Sequence, residues 1–503
     1  VKTEKRRGYL YKFAKIKMGL ANFMNIGYNS NQFQKWEHEN KTIGGRVTMI
    51  YDTDLPVAYA ARIADSVREK YTIDKKLVTE EGVKRGLRNA DGTGVLAGIT
   101  RIGSVMGYYV EDEMRVPMEG KLYYRGIDVE DIVASNRKNS VFGYEEVAYL
   151  LLMGELPTAR ELLDFDEVLS KARVLPANFT EDIIMRAPSA NIMNKLASCV
   201  LALYTYDPNP EDNSLENMLR TSIELIGRLP VLVANSYAVM RHHYQEKSLY
   251  IHQPKENLSL AENFLRMVRP DKQYTDEEAK LLDTMLVLHA EHGGGNNSAF
   301  VCRALSSSGT DTYSAIAGAL GSLKGPLHGG ANAKVIEMFH YIKENVSDPT
   351  DDGMMRDYLG KILDGEAGDR SGKIYGIGHA VYTVSDPRAK LIKKFAREVA
   401  EKKGIDTRDL DIMETVERTA VPLIMERKNQ EIPMCANVDL YSGLVYGILG
   451  IPQELYTPLF AVSRISGWCA HRIEEAMTGG RIMRPAYRAY VKRVPYVEMN
   501  ERE

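Results

Sequence analysis

The chain has 503 residues, with 65 Lys and Arg against 68 Asp and Glu for a net charge of −3, and 44% of its residues are apolar. That length supports a large core, and the balanced charge excludes both a disordered acidic or basic chain and a polybasic nucleic-acid binder. Its four cysteines, Cys199, Cys302, Cys435 and Cys469, form no CxxC pair, which points to a reducing compartment and away from a disulfide framework or structural zinc.

Residues 1–48 hold ten Lys and Arg against Glu4, Glu37 and Glu39, a net of +7, so the remaining 455 residues carry −10. This segment lacks a sustained helical period and reads as a separate, poorly packed basic arm. Two origins stay open for it: an organelle-targeting peptide, or sequence upstream of a start at Met49. From Leu55 onward the periodicity is helical, with few short strands, expected around Ile99–Met106 and Leu122–Tyr124. No run of about 18 apolar residues is present, the patch Val147–Met153 being of core-helix length. No fixed-period repeat and no Rossmann rhythm occurs. Residues 389–403 place Leu391/Ile392, Phe395/Ala396 and Val399/Ala400 on one helix face. Thr457-Pro458 reads as a capped helix start ahead of Leu459, Phe460, Trp468 and Ile473.

Functional signals cluster where histidines meet glycines. His289 and His292, three apart before Gly293-Gly294-Gly295-Asn296, have the spacing of two metal ligands on one helix face; no further ligands complete a site, and a helix ending at Gly293 that presents His292 and Asn296 is the alternative. His328 lies between Gly325-Pro326 and Gly329-Gly330, just before a helix starting near Ala331. It is either a plain loop histidine or a neutral hydrogen-bond donor whose pKa the helix terminus lowers. Gly376-Ile377-Gly378-His379 with Asp386-Pro387-Arg388 puts a proton donor and an anion clamp on one loop. Asp439 sits in an apolar run, as a helix cap or as a buried base of raised pKa. Arg464, four residues from both Phe460 and Trp468, lies on an apolar stripe and calls for an anionic partner. Arg484 is a further candidate clamp. Several arginines and histidines suit a small dicarboxylate, each carboxylate taking a bidentate fork.

The Gly-Pro-Leu-His-Gly, Gly-x-Gly-His with Asp-Pro-Arg, and Asn-Val-Asp-x-x-Ser-Gly stretches, in that order, resemble the citrate synthase family. Leu122–Gly126 and Gly154–Thr158 extend the likeness, which covers about residues 94 to 490. The resemblance implies a mainly α, two-domain homodimer: a large domain from 49–328 and 439–503, and a smaller closing domain from 329–438. It implies condensation of acetyl-CoA with oxaloacetate and thioester hydrolysis, without a metal or tightly bound cofactor. Asp439 would take the methyl proton, His328 would hold the enolate oxygen and His379 would protonate the oxaloacetate carbonyl. His292, Asn296, Arg388 and Arg464 would bind oxaloacetate, with Arg484 supplied from the partner subunit. Lys373, Gly376 and Gly378 would contact CoA. Thr383 departs from the basic residue many members carry there, and Gly293 from a frequent Glu. 2-Methylcitrate synthesis from propionyl-CoA is the near alternative, and a catalytically silent helical binding protein the remote one. No nucleic acid or membrane partner is expected, and a cytoplasmic location is.

Overall fold

The computed structural model describes residues 54–502 apart from 90, 113 and 492, so the basic arm 1–48 and the start at Met49 lie outside the described residues. The chain falls into two compact units divided between Val95 and Leu96. The described part of the first unit has helices Asp54–Tyr71 and Lys75–Glu80, the second capped by Asp74 through Lys76 N–H at 2.9 Å.

The second unit opens with an antiparallel sheet of β1 (Gly103–Glu111), β2 (Met114–Tyr124) and β3 (Ile127–Asp128), in that order. β1 begins at Gly103 rather than Ile99 and continues past Met106 to Glu111, and β2 begins at Met114, well ahead of Leu122, with Gly107 and Gly120 lying inside the strands. A Cβ at Gly107 would come within 2.5 Å of Tyr382 Cα, and one at Gly120 within 2.1 Å of Ser385 O. The sheet therefore packs directly on the 381–385 loop, and its register shifts between Met106 and Tyr108 at this approach.

The rest is helical. At the centre of one set lies Tyr456–Met477, with Arg464 and Trp468 fully buried; it packs against Tyr144–Met153, Leu215–Gln245, Asp276–His289, Asn297–Ser306 and Thr312–Leu323. Leu215–Gln245 is long and apolar enough to cross a membrane, but 78% of its most apolar window is buried within the protein, as in a core helix. Helix ends are held by distant side chains: Asp283 accepts the Gly143 and Tyr144 N–H groups at 2.7 and 3.1 Å, and Glu145 accepts Leu260 N–H at 2.7 Å. Thr457 does not cap Tyr456–Met477. Leu455 is its N-cap residue, and the Thr457 hydroxyl donates to Gly329 O at 3.1 Å, tying this helix to the His328 turn.

In a second set, Asp439–Ile448 packs against Ala331–Asn345, Pro387–Lys403 and Arg408–Lys428, and the last also packs on Asp352–Leu363. Pro387–Lys403 forms where the apolar pairs predict it: Asp386 caps it, Pro387 occupies its first turn, and Gly404 ends it at φ +64°. All four cysteines are buried and unpaired. The described residues between Gly480 and Glu498 have no regular structure, and Tyr487, Tyr490 and Tyr496 are exposed there.

Candidate active site

Two chain segments meet at an isolated antiparallel bridge between Ile377 and Ala436. Gly378 N–H donates to Cys435 O at 2.8 Å and Asn437 N–H to Gly376 O at 2.9 Å. The Asn437 side chain completes the joint, its Nδ2 donating to Gly378 O and its Oδ1 accepting Asp439 N–H, both at 2.9 Å. The histidine of one segment and the acid of the other are thus fixed together. Gly376, at φ +81°, lets the loop lie against the Asp439 helix, since a Cβ there would sit 3.0 Å from Leu440 Cα.

His379 Nδ1 accepts the Val381 and Tyr382 N–H groups, each at 3.0 Å. A ring nitrogen that accepts cannot carry a proton, so neutral His379 carries it on Nε2. The ring stacks on Tyr382 at 4.6 Å and meets the His292 ring edge-on at 5.1 Å.

Asp439 begins its helix, with Val438 in the cap position, so its carboxylate is not consumed as a cap. Burial pushes its pKa up to about 6; Arg388 and Arg464 pull against this, and Asp386 adds to it.

The His328 turn is built from close backbone approaches. A Cβ at Gly329 would lie 2.7 Å from Leu323 O, and one at Gly330 2.8 Å from Pro326 Cα. His328 Nε2 lies 3.0 Å from Ser298 Oγ, which accepts Trp468 Nε1–H at 3.1 Å and donates its own proton to Asn296 Oδ1 at 2.9 Å. Burial, then the nearby Arg464 charge, lowers the His328 pKa to about 4, so the ring is neutral at ordinary pH. Burial, rather than the helix terminus, is the larger cause.

Arg388 is buried and gripped by Asp386, through Nε at 3.0 Å and Nη2 at 2.8 Å. Arg464 is compensated differently. Its Nε donates to His289 O at 2.6 Å and its guanidinium lies over Phe460 at 4.7 Å, while Nη1 and Nη2 are buried without a protein hydrogen bond. His292 is held well below its ordinary pKa by burial and then by Arg388, and its Nε2 is likewise without a partner. His289 donates Nδ1–H to Met285 O at 2.7 Å. The helix ends there rather than at Gly293, and Asn296 stands in the N-cap position of the next helix, Asn297–Ser306, without a side-chain capping hydrogen bond. Among the described residues no three His, Cys, Asp or Glu side chains come together to hold a metal.

The family model for the citrate synthase C-terminal domain matches residues 91–486. Citrate synthase of Deinococcus radiodurans is 35% identical over 386 residues, 76% of this chain and 94% of that protein. The chain belongs to the citrate synthase family. 2-Methylcitrate synthase 1 of Corynebacterium glutamicum is 32% identical over 402 residues, covering 79% of this chain and 93% of its own. Among solved structures, the citrate synthase of Thermoplasma acidophilum in ternary complex with carboxymethyl coenzyme A and oxaloacetate superposes with a TM-score of 0.68 at 29% identity. The match covers 84% of this chain and 99% of that one.

In the structure the Arg464 charge acts on His292, His328 and Asp439, that of Arg388 on His292 and Asp439, and His379 on His292. Arg484 is left exposed beyond the last long helix, with no hydrogen bond or ion pair among the described residues. Lys373 is exposed beside Lys334, Asp369 and Tyr375. Gly376 and Gly378 have the backbone roles given above. Thr383 is buried and donates its hydroxyl to Gly107 O, so it anchors the sheet to the loop. Sequence reasoning missed Ser298, Trp468, Asp386 and Asn437, whose roles arise only from tertiary contact. It also missed Glu291, whose signal was present as an acid between His289 and His292.

Proposed function

We propose that this chain condenses acetyl-CoA with oxaloacetate and hydrolyses the resulting citryl thioester to citrate and CoA, without a metal or tightly bound cofactor. The observation that carries this reading is the Asn437 joint, which fixes a base of raised pKa next to a histidine that carries its proton on Nε2. Asp439 removes a methyl proton from acetyl-CoA. His328, neutral, holds the thioester oxygen as negative charge develops there. The Ser298 hydroxyl, 3.0 Å from His328 Nε2, orients the ring for this step. The enolate carbon then attacks the oxaloacetate carbonyl, whose oxygen takes the proton of His379 Nε2. Water finally cleaves the thioester, so one water is consumed and one thiol is released per turnover.

Arg388, through the nitrogen Asp386 leaves free, and Arg464, through Nη1 and Nη2, receive the carboxylates of oxaloacetate, with His292 and Asn296 alongside. The protein works as a cytoplasmic homodimer, Arg484 reaching the partner's site from the exposed C-terminal segment. The helices of 329–438 move as the smaller domain and close over the substrates, and Lys373 with the 376–378 backbone meets CoA. The first test is thiol release from acetyl-CoA. Release that requires oxaloacetate, and falls by orders of magnitude in Asp439→Asn, is the expected result. No release from the wild-type protein would overturn the reading and leave a helical binding protein.

A further inference from the structure

Arg464 and Arg388 carry the same charge in the same site but are neutralised in different ways. Asp386 contacts Arg388 directly and occupies two of its nitrogens. Arg464 makes no ion pair of that kind among the described residues, yet it is fully buried. A buried guanidinium without a counter-charge is strongly destabilising. The balancing group must therefore lie nearby without touching Nη1 or Nη2.

Glu291 meets that description. It is fully buried, two residues after His289, whose carbonyl accepts Arg464 Nε–H. Its Oε2 has no hydrogen-bond partner and faces Gly467, one helical turn beyond Arg464, where a Cβ would come within 2.4 Å of it. Only glycine at 467 allows the carboxylate to lie this close to the Arg464 helix. Its Oε1 accepts Gly293 N–H at 2.5 Å and His471 Nε2–H at 2.8 Å. His471 Nδ1 in turn accepts Arg303 Nε–H at 3.0 Å. Because guanidinium nitrogens only donate, that contact fixes His471 as a neutral ring with its proton on Nε2. A neutral His471 holds the carboxylate in place without cancelling its charge. Arg303 is anchored by Glu475 at 2.9 Å and by Glu474. Among the charges acting on Arg464, that of Glu291 is the largest.

We propose that Glu291, locked by His471 and Arg303, is the counter-ion of Arg464 in the unliganded site: it balances the guanidinium while leaving both terminal nitrogens free for a substrate carboxylate. Glu291 is a positioning residue, acting through Arg464 and the Gly293 turn. The arrangement has a cost in affinity, since a bound dicarboxylate must share Arg464 with Glu291. It thereby limits how tightly substrate and the tricarboxylate product are held. This rests on the reading of Arg464 as an oxaloacetate ligand.

The test separates charge from hydrogen bonding. Glu291→Gln keeps an acceptor for Gly293 N–H and His471 Nε2–H and removes only the charge. Calorimetric titration with oxaloacetate should give a Kd lower by ~10-fold in Glu291→Gln than in the wild type, while the ligand-free variant melts at a lower temperature. Glu291→Asp, which keeps the charge, should bind no tighter than the wild type. An unchanged or weaker Kd in Glu291→Gln would overturn the proposal, leaving Glu291 a hydrogen-bonding group only. Stability of the ligand-free proteins gives an independent reading. The double variant Glu291→Gln/Arg464→Gln should be destabilised by less than the sum of its single variants. Additivity would overturn the proposal, as would a double variant that fails to fold alongside an unfolded Glu291→Gln. If the wild type binds no oxaloacetate, the functional reading fails and this cycle still decides the ion pair.

Discussion

Asp386 grips Arg388 through both carboxylate oxygens and, through Oδ2, also accepts Val438 N–H at 3.2 Å, directly before Asp439. One carboxylate therefore ties the candidate anion clamp to the turn that presents the candidate base. Asp386→Ala strands a buried guanidinium and frees that turn. Loss of one partner of a buried pair costs about 3–5 kcal/mol, so we expect a lower melting temperature together with a raised KM for oxaloacetate. A melt like that of the wild type would show that Arg388 finds its balance elsewhere.

The pH dependence follows from Asp439. A base works when deprotonated, and burial places its pKa at about 6, so kcat should rise with pH through about 6 and then level. His328, at about 4, is neutral across this range and adds no limb there. A pH–rate profile flat between 5 and 7 would contradict the assignment of the base.

Ser298 receives the Trp468 indole N–H and lies in contact with His328. Ser298→Ala leaves that indole without its acceptor and the imidazole without its orienting hydroxyl. Steady-state kinetics should show kcat lower by up to ~10²-fold and the oxaloacetate KM little changed. A rise in KM with kcat intact would move Ser298 from the acyl side of the site to the oxaloacetate side.

The candidate chemical groups were legible in the sequence because His328, His379 and Asp439 stand in glycine-rich or apolar contexts that demand explanation. The helix Pro387–Lys403 was legible because its cap, first-turn proline, apolar period and terminal glycine all agree. What escaped was set by contacts between distant segments. Gly107 and Gly120, inside the strands, are the positions where the sheet meets the 381–385 loop, an approach no local pattern announces. Thr457 looks like a cap, but its hydroxyl is drawn to Gly329 O instead. Asp386 reads as part of a corner, and only the folded chain brings Val438 to it.

Gly376 offers a backbone test of the joint between loop and base. Its φ of +81° and its approach to Leu440 leave no room for a side chain without strain or displacement. Gly376→Ala should cost about 1–2 kcal/mol in backbone strain alone and lower kcat by shifting His379 relative to Asp439. Denaturant unfolding and steady-state kinetics check both; a stable and fully active variant would mean that the joint does not govern catalytic geometry.

The acyl pocket decides between the two condensations the family relatives represent, since one methylene is worth only about 1–3 kcal/mol in a pocket. The most direct measurement is kcat/KM for oxaloacetate-dependent thiol release from acetyl-CoA and from propionyl-CoA, with the product of each identified. The account predicts a higher value with acetyl-CoA and citrate as the product. A higher value with propionyl-CoA, giving 2-methylcitrate, would contradict it.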